Sequence, residues 1–122
     1  MKYLLMLHMD PAAWDTLADA AREELVQKHR AVHQTVAEAG ELIAAHTLAH
    51  VSLSTVVRVR DGAVSLRDGP LLTSSIQLSG LYLIDCETVE RAQELAALLS
   101  EARMPGLGIE VWPIMLPSGT ER

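Results

Sequence analysis

The chain has 122 residues, of which 49% are hydrophobic and 21% charged, a balance typical of one folded domain rather than a disordered segment. Its formal net charge of −6, without any cluster of lysines and arginines, argues against a nucleic-acid surface, and no stretch is apolar over the length of a membrane span. The single cysteine, Cys86, excludes an intrachain disulfide and a multi-cysteine metal site, so the cytoplasm is the expected location.

The first half of the chain predicts a strand, a long helix and a second strand. Residues 2–8 have an apolar strand pattern, and Pro11 suits the first turn of the helix that follows. The helical pattern continues to residue 39, where Gly40 ends it. Residues 41–48 then have the pattern of a strand.

The long helix has one apolar stripe when each residue is advanced by about 100° from the one before. This stripe is formed by Ala18, Ala21, Leu25, Val32 and Val36. His29 falls at the edge of the stripe and His33 on its flank. We therefore expect His29 to lean into the sheet and His33 to be largely exposed.

A hairpin follows over residues 55–67. Two alternating runs are separated by Asp61-Gly62, which is a strong hairpin signal because the turn needs positive φ and glycine adopts it at little cost. The second run ends at Asp68-Gly69-Pro70. A flexible residue followed by a residue of fixed φ can hold the Asp68 carboxylate rigidly at the strand end.

A strand, a helix and a strand complete the predicted fold. The strand spans residues 78–84, the helix is capped by Asp85 or Thr88 and runs to about residue 103, a turn covers residues 104–108, and the last strand covers residues 109–115. We expect residues 1–116 to form a single domain and residues 117–122 a polar tail. The element order predicts an α+β fold, a ferredoxin-like antiparallel sheet with two helices on one face.

Four short motifs occur in order along nearly the whole chain, namely Gly40-Glu41-Leu42, Arg58-Val59-Arg60-Asp61-Gly62, Asp68-Gly69-Pro70 and Ile109-Glu110-Val111. In this order they resemble the YciI-like family, in particular the branch named after its Asp-Gly-Pro-Phe motif. The resemblance implies a dimeric α+β barrel, in which the sheets of two copies pack face to face and leave a cleft in each subunit. The apolar character of both faces of residues 3–7 and 78–84 agrees with a sheet covered on both sides, so we expect a homodimer.

The resemblance also implies a catalytic pair. In shorter YciI-like proteins a histidine eleven residues before the helix-ending glycine pairs with an aspartate in a proposed catalytic dyad, and the matching residues here are His29 and Asp68. A carboxylate that accepts from one imidazole nitrogen makes the other nitrogen a better general base. The structural alternative is a boundary His29 bonded to a backbone carbonyl and an Asp68 that forms an Asx turn.

Two further histidines are candidates for the site. Strand alternation places Leu42, Ala44, His46 and Leu48 on one face, with His50 following. His46 is therefore a second candidate for the acid–base group, supported by His29. The alternatives are a metal site formed by His46, His50 and Asp68, and histidines that are simply solvated. Since their spacing matches no metal signature and the chain has no Gly-rich phosphate loop, we expect neither a metal nor an organic cofactor.

Five residues are candidates for substrate binding: His50, Arg58, Leu71, Tyr82 and Trp112. Arg58 shares a strand face with Arg60 and could attract a substrate carboxylate, although a solvated strand face is the alternative. Tyr82 and Trp112 fit the sheet core or a dimer face as well as a pocket wall. Leu71 and Trp112 stand where the family has Phe and commonly Arg, which implies a more apolar pocket in this protein.

His8 and Cys86 are less strongly indicated. His8 closes the first strand, at the rim of a cleft or as an exposed turn residue. Cys86 lies at a helix start, where the dipole can lower a thiol pKa, and the alternative is a small buried thiol.

The function expected from these residues is proton transfer on a small, fairly apolar carbonyl compound. Proteins of similar fold include lactone isomerases and dehydrochlorinases, so the expected activity is that of a cofactor-independent lyase or isomerase, such as a biosynthetic dehydratase, isomerase or cyclase. The alternative is a non-catalytic small-molecule binder or regulatory accessory protein, because members of the resembling branch are frequently encoded beside alternative sigma factors.

Overall fold

The computed structural model describes residues 1–104 and 107–115. In chain order the elements are β1 (Lys2–Met9), α1 (Pro11–Thr16), α2 (Asp19–Glu38), β2 (Leu42–Thr47), β3 (Thr55–Arg60), β4 (Ala63–Asp68), β5 (Gln77–Asp85), α3 (Val89–Ala97) and β6 (Ile109–Pro113), with short 3-10 turns at Val51–Leu53 and Ser100–Arg103. β1, β2, β5 and β6 form an antiparallel sheet in the order β2-β5-β1-β6, and β3 and β4 form a separate two-stranded sheet. The predicted ferredoxin-like α+β fold is confirmed.

The core lies between one face of the four-stranded sheet and the helices. Strand register places Val111, Leu5, Tyr82 and Ala45 in one row across this face. The helices cover it with apolar residues that recur three or four positions apart, which are Val32 and Val36 of α2 and Ala92, Leu95 and Ala96 of α3. The predicted arrangement of two helices on one face is therefore present. No helix in the described part of the chain is long and apolar enough to cross a membrane.

Within residues 1–104 and 107–115, no helix packs on the opposite face of the same sheet. Its rows also follow from the strand register: Trp112, Leu4, Leu83 and Ala44 form one row, and Glu110, Met6, Leu81 and His46 form the next. We call this surface the open face. Most of its residues are apolar and only partly buried, and Trp112 is 55% exposed. The open face is therefore an apolar surface of the kind that marks an interaction site.

The predicted continuous helix over residues 11–39 is instead two helices. Asp10 caps α1, accepting a hydrogen bond from the Ala12 amide, and Leu17 is extended at the end of α1. Arg22 of α2 donates from its guanidinium to the carbonyls of Trp14 and Asp15 and stacks over the Trp14 ring. These contacts satisfy the last carbonyls of α1 and stabilise the break. Ala18, predicted to lie in the buried stripe, is exposed because it precedes α2.

Other helix signals in the sequence behave as predicted. Gly40 has a positive φ of 73° just beyond α2, and the Glu41 amide donates back to the carbonyl of Val36, so glycine ends the helix as expected. Thr88 caps α3 by accepting from the amide of Arg91. His29 is partly buried and His33 is exposed, which confirms the orientation predicted for α2.

The β3–β4 hairpin forms a two-stranded sheet distinct from the main sheet. Its Asp61-Gly62 turn has positive φ at both residues, as a type I′ turn requires. One side of the hairpin exposes an apolar ladder whose side chains are 60 to 69% exposed, formed by Val57, Val59, Val64 and Leu66. The hairpin ends at the Gly69-Pro70 peptide bond, which is cis. Part of the turn predicted over residues 104–108, and the tail predicted over residues 117–122, lie outside the described residues.

Candidate functional site

A cavity of about 690 Å³ lies between α1, α2 and one end of the four-stranded sheet. We call it the helix cavity. Its wall is largely apolar, with Leu7, Met9, Trp14, Leu25, Val26 and Leu78 contributing. Polar residues also line it, among them His29, Thr47, Ser79, Tyr82 and Glu101. This volume and this mixture are typical of sites that bind small organic molecules.

The helix cavity has a histidine–carboxylate pair in its wall. His29 Nε2 lies 2.9 Å from Oε1 and 3.0 Å from Oε2 of Glu101. The Glu101 side chain is 2% exposed, whereas the His29 side chain is 29% exposed. Glu101 belongs to the 3-10 turn that follows α3, so the pair connects α2 to the end of the second helical layer.

The pairing defines how the two imidazole nitrogens can act. A carboxylate only accepts hydrogen bonds, so the Nε2 atom that contacts Glu101 must carry a proton. In the neutral ring Nδ1 is then the acceptor, and within residues 1–104 and 107–115 it has no hydrogen-bond partner. His29 can therefore accept a proton at Nδ1 while Glu101 stabilises the imidazolium that results.

Tyr82 adds a hydroxyl group to the same wall. It is 6% exposed, and its hydroxyl donates a long hydrogen bond of 3.4 Å to the backbone carbonyl of His29. Burial, together with the negative charge of Glu101, raises the pKa of Tyr82 above its ordinary value. The hydroxyl is therefore protonated at neutral pH and can donate a hydrogen bond. Tyr82 was predicted to bind substrate and lines the helix cavity, although it is also a core residue.

The predicted pairing of His29 with Asp68 is wrong for this chain, because the partner of His29 is Glu101. Asp68 is exposed at the end of β4, opposite Thr55 in the separate hairpin sheet, and is not among the residues that line the helix cavity. Its own neighbour Arg67 donates to the backbone carbonyls of Asp68 and Pro70. The Asp-Gly-Pro segment therefore ends the hairpin and does not position an acid beside His29.

His46 does not share a face with Leu42, contrary to the prediction. The register between β2 and β5 shifts between Leu42 and Ala44, so Leu42 pairs with Ile84 on the core face while His46 pairs with Leu81 on the open face. His46 contributes to the wall of the helix cavity, but its strand position directs its side chain toward the open face. The prediction that His46 is the acid–base group stays a prediction, and the register gives it less support than His29.

His50 lies beyond β2 at the mouth of the helix cavity. Its Nδ1 accepts from the Ser52 amide and lies 2.9 Å from the Ser52 hydroxyl, and its Nε2 lies 3.6 Å from the Asp15 carboxylate of α1. Nδ1 therefore stabilises the loop that follows β2, and Nε2 faces the Asp15 carboxylate across the mouth. Among the residues described, no three His, Cys, Asp or Glu side chains are grouped as metal ligands would be.

The remaining predicted binding residues lie elsewhere. Arg58 and Leu71, again with His50, line a second cavity at the base of the hairpin. Trp112 is on the open face, where its indole Nε1–H donates to Glu110 at 3.0 Å. The helix cavity therefore contains only part of the set that the sequence suggested.

His8 and Cys86 also take structural positions. His8 contacts one oxygen of the Glu110 carboxylate on the open face, and Trp112 donates to the other. The hydrogen bond from Trp112, and to a smaller extent the one from His8, lowers the pKa of Glu110. Cys86 is buried, and burial followed by the nearby Glu41 charge raises the pKa of its thiol. The reading of Cys86 as a small buried thiol is therefore the one that the structure supports.

Sequence reasoning missed Glu101. It was placed only in the last turn of a helix expected to run to about residue 103, where a glutamate is ordinarily solvated. The helix α3 instead ends at Ala97, and the 3-10 turn Ser100–Arg103 that follows buries the Glu101 carboxylate. No local pattern marks such a residue, because its burial depends on the packing of α2 against that turn.

The fold and site together define a small ferredoxin-like α+β protein with a histidine–glutamate pair in the wall of an apolar cavity. Comparison with known proteins agrees with this class. The family model described as the YCII-related domain matches residues 1–115, so the chain belongs to the YCII-related family. It is also 28% identical, over 116 residues, to an uncharacterized protein of Rhizobium meliloti (strain 1021), covering 95% of this chain and 94% of that protein.

Proposed function

We propose that the protein catalyses proton transfer on a small, apolar carbonyl compound bound in the helix cavity, as a cofactor-independent lyase or isomerase. The observation that carries this proposal is the His29–Glu101 pair, which leaves one imidazole nitrogen without a partner at the wall of a cavity of about 690 Å³. A histidine oriented by a buried carboxylate is the usual arrangement for a general base.

The proposed reaction uses three residues of the cavity, which are His29, Glu101 and Tyr82. His29 Nδ1 removes a proton from the carbon next to the substrate carbonyl, and the imidazolium is stabilised by Glu101 at Nε2. Tyr82 exchanges its long hydrogen bond to the His29 carbonyl for one to the substrate oxygen on which negative charge develops, since its raised pKa keeps the hydroxyl protonated. Return of the proton to another carbon gives isomerisation, and loss of a leaving group from the β carbon gives elimination.

The composition of the cavity also favours the second candidate function, which is non-catalytic binding of a small molecule. Most of the wall is apolar, and the aspartate that the family resemblance implied for the site, Asp68, is not part of it. A binding protein needs the cavity but not the base. The two functions therefore differ in what they require of His29.

The test is hydrogen–deuterium exchange at carbons next to carbonyl groups, followed by NMR in D₂O across a panel of apolar ketones, enones and lactones. Proton abstraction is read directly in this assay, without knowing the final product. The informative variant is His29→Gln, whose amide nitrogen can replace Nε2 as a donor to Glu101 but supplies no base. The matched control is His33→Gln, one turn further along α2, at an exposed position of the same cavity.

We expect at least one compound to exchange faster with wild type and His33→Gln than in buffer, and a loss of about 10² to 10⁴-fold of that acceleration in His29→Gln. Equal acceleration by His29→Gln would refute the role of His29. Compounds that raise Tm equally for wild type and His29→Gln, without any accelerated exchange, would establish the binding function instead.

We also propose that the protein is a homodimer formed through the open face. Two cross-strand rows of mostly apolar side chains lie there without cover, and packing two such faces together buries them as a doubly covered sheet requires. Light scattering coupled to size exclusion measures the mass directly. Leu83→Asp, at the centre of the open face, should give a monomer, whereas Leu98→Asp, at the exposed position that follows α3, should not.

A further inference from the structure

A second cavity, of about 790 Å³, lies at the base of the β3–β4 hairpin. We call it the hairpin cavity. It is formed by the 3-10 turn Val51–Leu53, the start of β3 and the segments on either side of the loop that joins β4 to β5. Its apolar wall includes Leu48, Val51, Leu53, Pro70, Leu71 and Leu78. It shares residues 48–51, 77 and 78 of its wall with the helix cavity.

Arg58 brings a positive charge to the wall of the hairpin cavity. No aspartate or glutamate is among the described residues that line this cavity. This is unexpected in a chain whose formal net charge is −6. An anion entering the cavity therefore meets no carboxylate along its wall.

Arg58 is the cation that an anionic ligand would meet. Within residues 1–104 and 107–115 its guanidinium has neither an ion-pair nor a hydrogen-bond partner. Arg67, on the neighbouring strand, differs because it donates to the carbonyls of Asp68 and Pro70. Arg67 is therefore held by hydrogen bonds to the loop, whereas the guanidinium of Arg58 is free, within the described part of the chain, at the hairpin cavity.

The hairpin register places Arg58 relative to its neighbours. Side chains two residues apart on β3 share a face, so Arg58 lies on the side of partly buried Val56, and residues of both faces, Val57 included, contribute to the cavity wall. Arg60 lies on the same side, two residues further toward the turn, and does not line the cavity. The two arginines therefore differ in distance from the cavity rather than in facing direction.

We propose that the hairpin cavity is a binding site for an amphiphilic carboxylate, a molecule with an apolar chain or ring and one carboxylate group. The apolar wall takes the body of the ligand, and Arg58 takes the carboxylate, for which the planar guanidinium is the best-matched side chain. This site adjoins the helix cavity along a shared wall, and binding there does not depend on catalysis by His29.

The probe is decanoate, with decanol as the uncharged molecule of the same chain length, and affinity is measured by calorimetry on the full chain. We expect decanoate to bind more tightly than decanol, and Arg58→Gln to weaken decanoate about fivefold while leaving decanol unchanged. Arg60→Gln is the matched control and should change decanoate affinity less than about twofold. Raising the salt concentration should weaken decanoate but not decanol.

Two further variants test which of the two cavities binds decanoate. Leu71→Asp places a carboxylate in the hairpin cavity and should abolish decanoate binding. Val26→Trp fills the wall of the helix cavity only, so it should leave decanoate binding intact. Equal binding of decanoate and decanol, equal effects of the two arginine variants, or loss of binding in Val26→Trp with retention in Leu71→Asp would each overturn the proposal.

Discussion

Truncating His29 should destabilise the protein because it leaves a buried carboxylate without a hydrogen-bond donor. The Glu101 side chain is 2% exposed, and both of its oxygens take their hydrogen bonds from His29 Nε2. Removing one partner of a fully buried ion pair costs about 3 to 5 kcal/mol. Here the His29 side chain is 29% exposed at the wall of a cavity, so water can reach the carboxylate once the ring is gone. We therefore expect His29→Ala to cost about 2 kcal/mol.

Equilibrium unfolding in urea measures this cost directly, and for a chain of this length 2 kcal/mol corresponds to a fall in Tm of about 8 °C. The second variant, Glu101→Gln, removes the charge and keeps the size of the side chain. It should cost about 1 kcal/mol by itself. Added to His29→Ala, it should recover about 1 kcal/mol, because the stranded charge is then absent. His33→Ala, exposed on the same helix, is the control and should change stability by less than about 0.5 kcal/mol.

Two outcomes would refute this reasoning. If His29→Ala costs no more than His33→Ala, then Glu101 does not depend on the imidazole for its hydrogen bonds. If the double variant loses the sum of the two single losses, the side chains are not coupled and the pair is not formed in solution.

Three other predictions concern separate parts of the molecule. Gly69→Ala should lower the free energy of unfolding by about 1 to 3 kcal/mol, because the added Cβ would lie 2.2 Å from the Ser54 hydroxyl oxygen. Unfolding in urea measures this loss, and adding Ser54→Gly should recover part of it. The pKa of Tyr82 is higher in the folded protein than in the unfolded chain. Its contribution to stability is therefore present in full below the ordinary tyrosine pKa of about 10 and is lost as pH rises through the higher folded value. As a result, Tm should fall above about pH 10 less steeply in Tyr82→Phe than in wild type. Because the pKa of Glu110 is lowered in the folded protein, this residue contributes stability above its unfolded pKa, and the contribution is lost as pH falls through the folded value. NMR titration of the Glu110 carboxyl carbon should show a higher pKa in Trp112→Phe than in wild type. An unchanged pKa would contradict the hydrogen bond between the two side chains.

The fold was largely predictable because its signals are local. Three of these signals are the Asp61-Gly62 turn, the glycine that ends α2 and the threonine that caps α3. Each depends on the backbone conformation or hydrogen bond of that residue itself, and not on distant contacts. The break between α1 and α2 was missed, since the residues around Leu17 continue a helical pattern. It depends on Arg22, whose side chain reaches back to the carbonyls of α1, and such a tertiary contact has no counterpart in the local sequence.

The site was only partly predictable because it combines elements that are far apart in the chain. His29 was found from its angle on the helix and from the family resemblance, and the structure places it in the cavity wall. Its partner was assigned to Asp68 by motif position, and the acid that contacts it is Glu101, 72 residues further along the chain. His46 was misplaced by one register shift in β2, which reverses the direction of every side chain beyond it.

The two faces of the sheet separate the proposed dimer from the proposed chemistry. His29, Tyr82 and Glu101 lie on the side covered by helices, whereas the surface proposed for dimerisation is on the other side. All three site residues line the cavity within one chain, so we expect the proposed chemistry not to require a second subunit. A monomeric Leu83→Asp variant that remains folded should therefore keep the hydrogen–deuterium exchange activity of wild type. If it loses that activity at unchanged circular dichroism, the partner subunit must complete the site, and the cavity of one chain is not sufficient for catalysis.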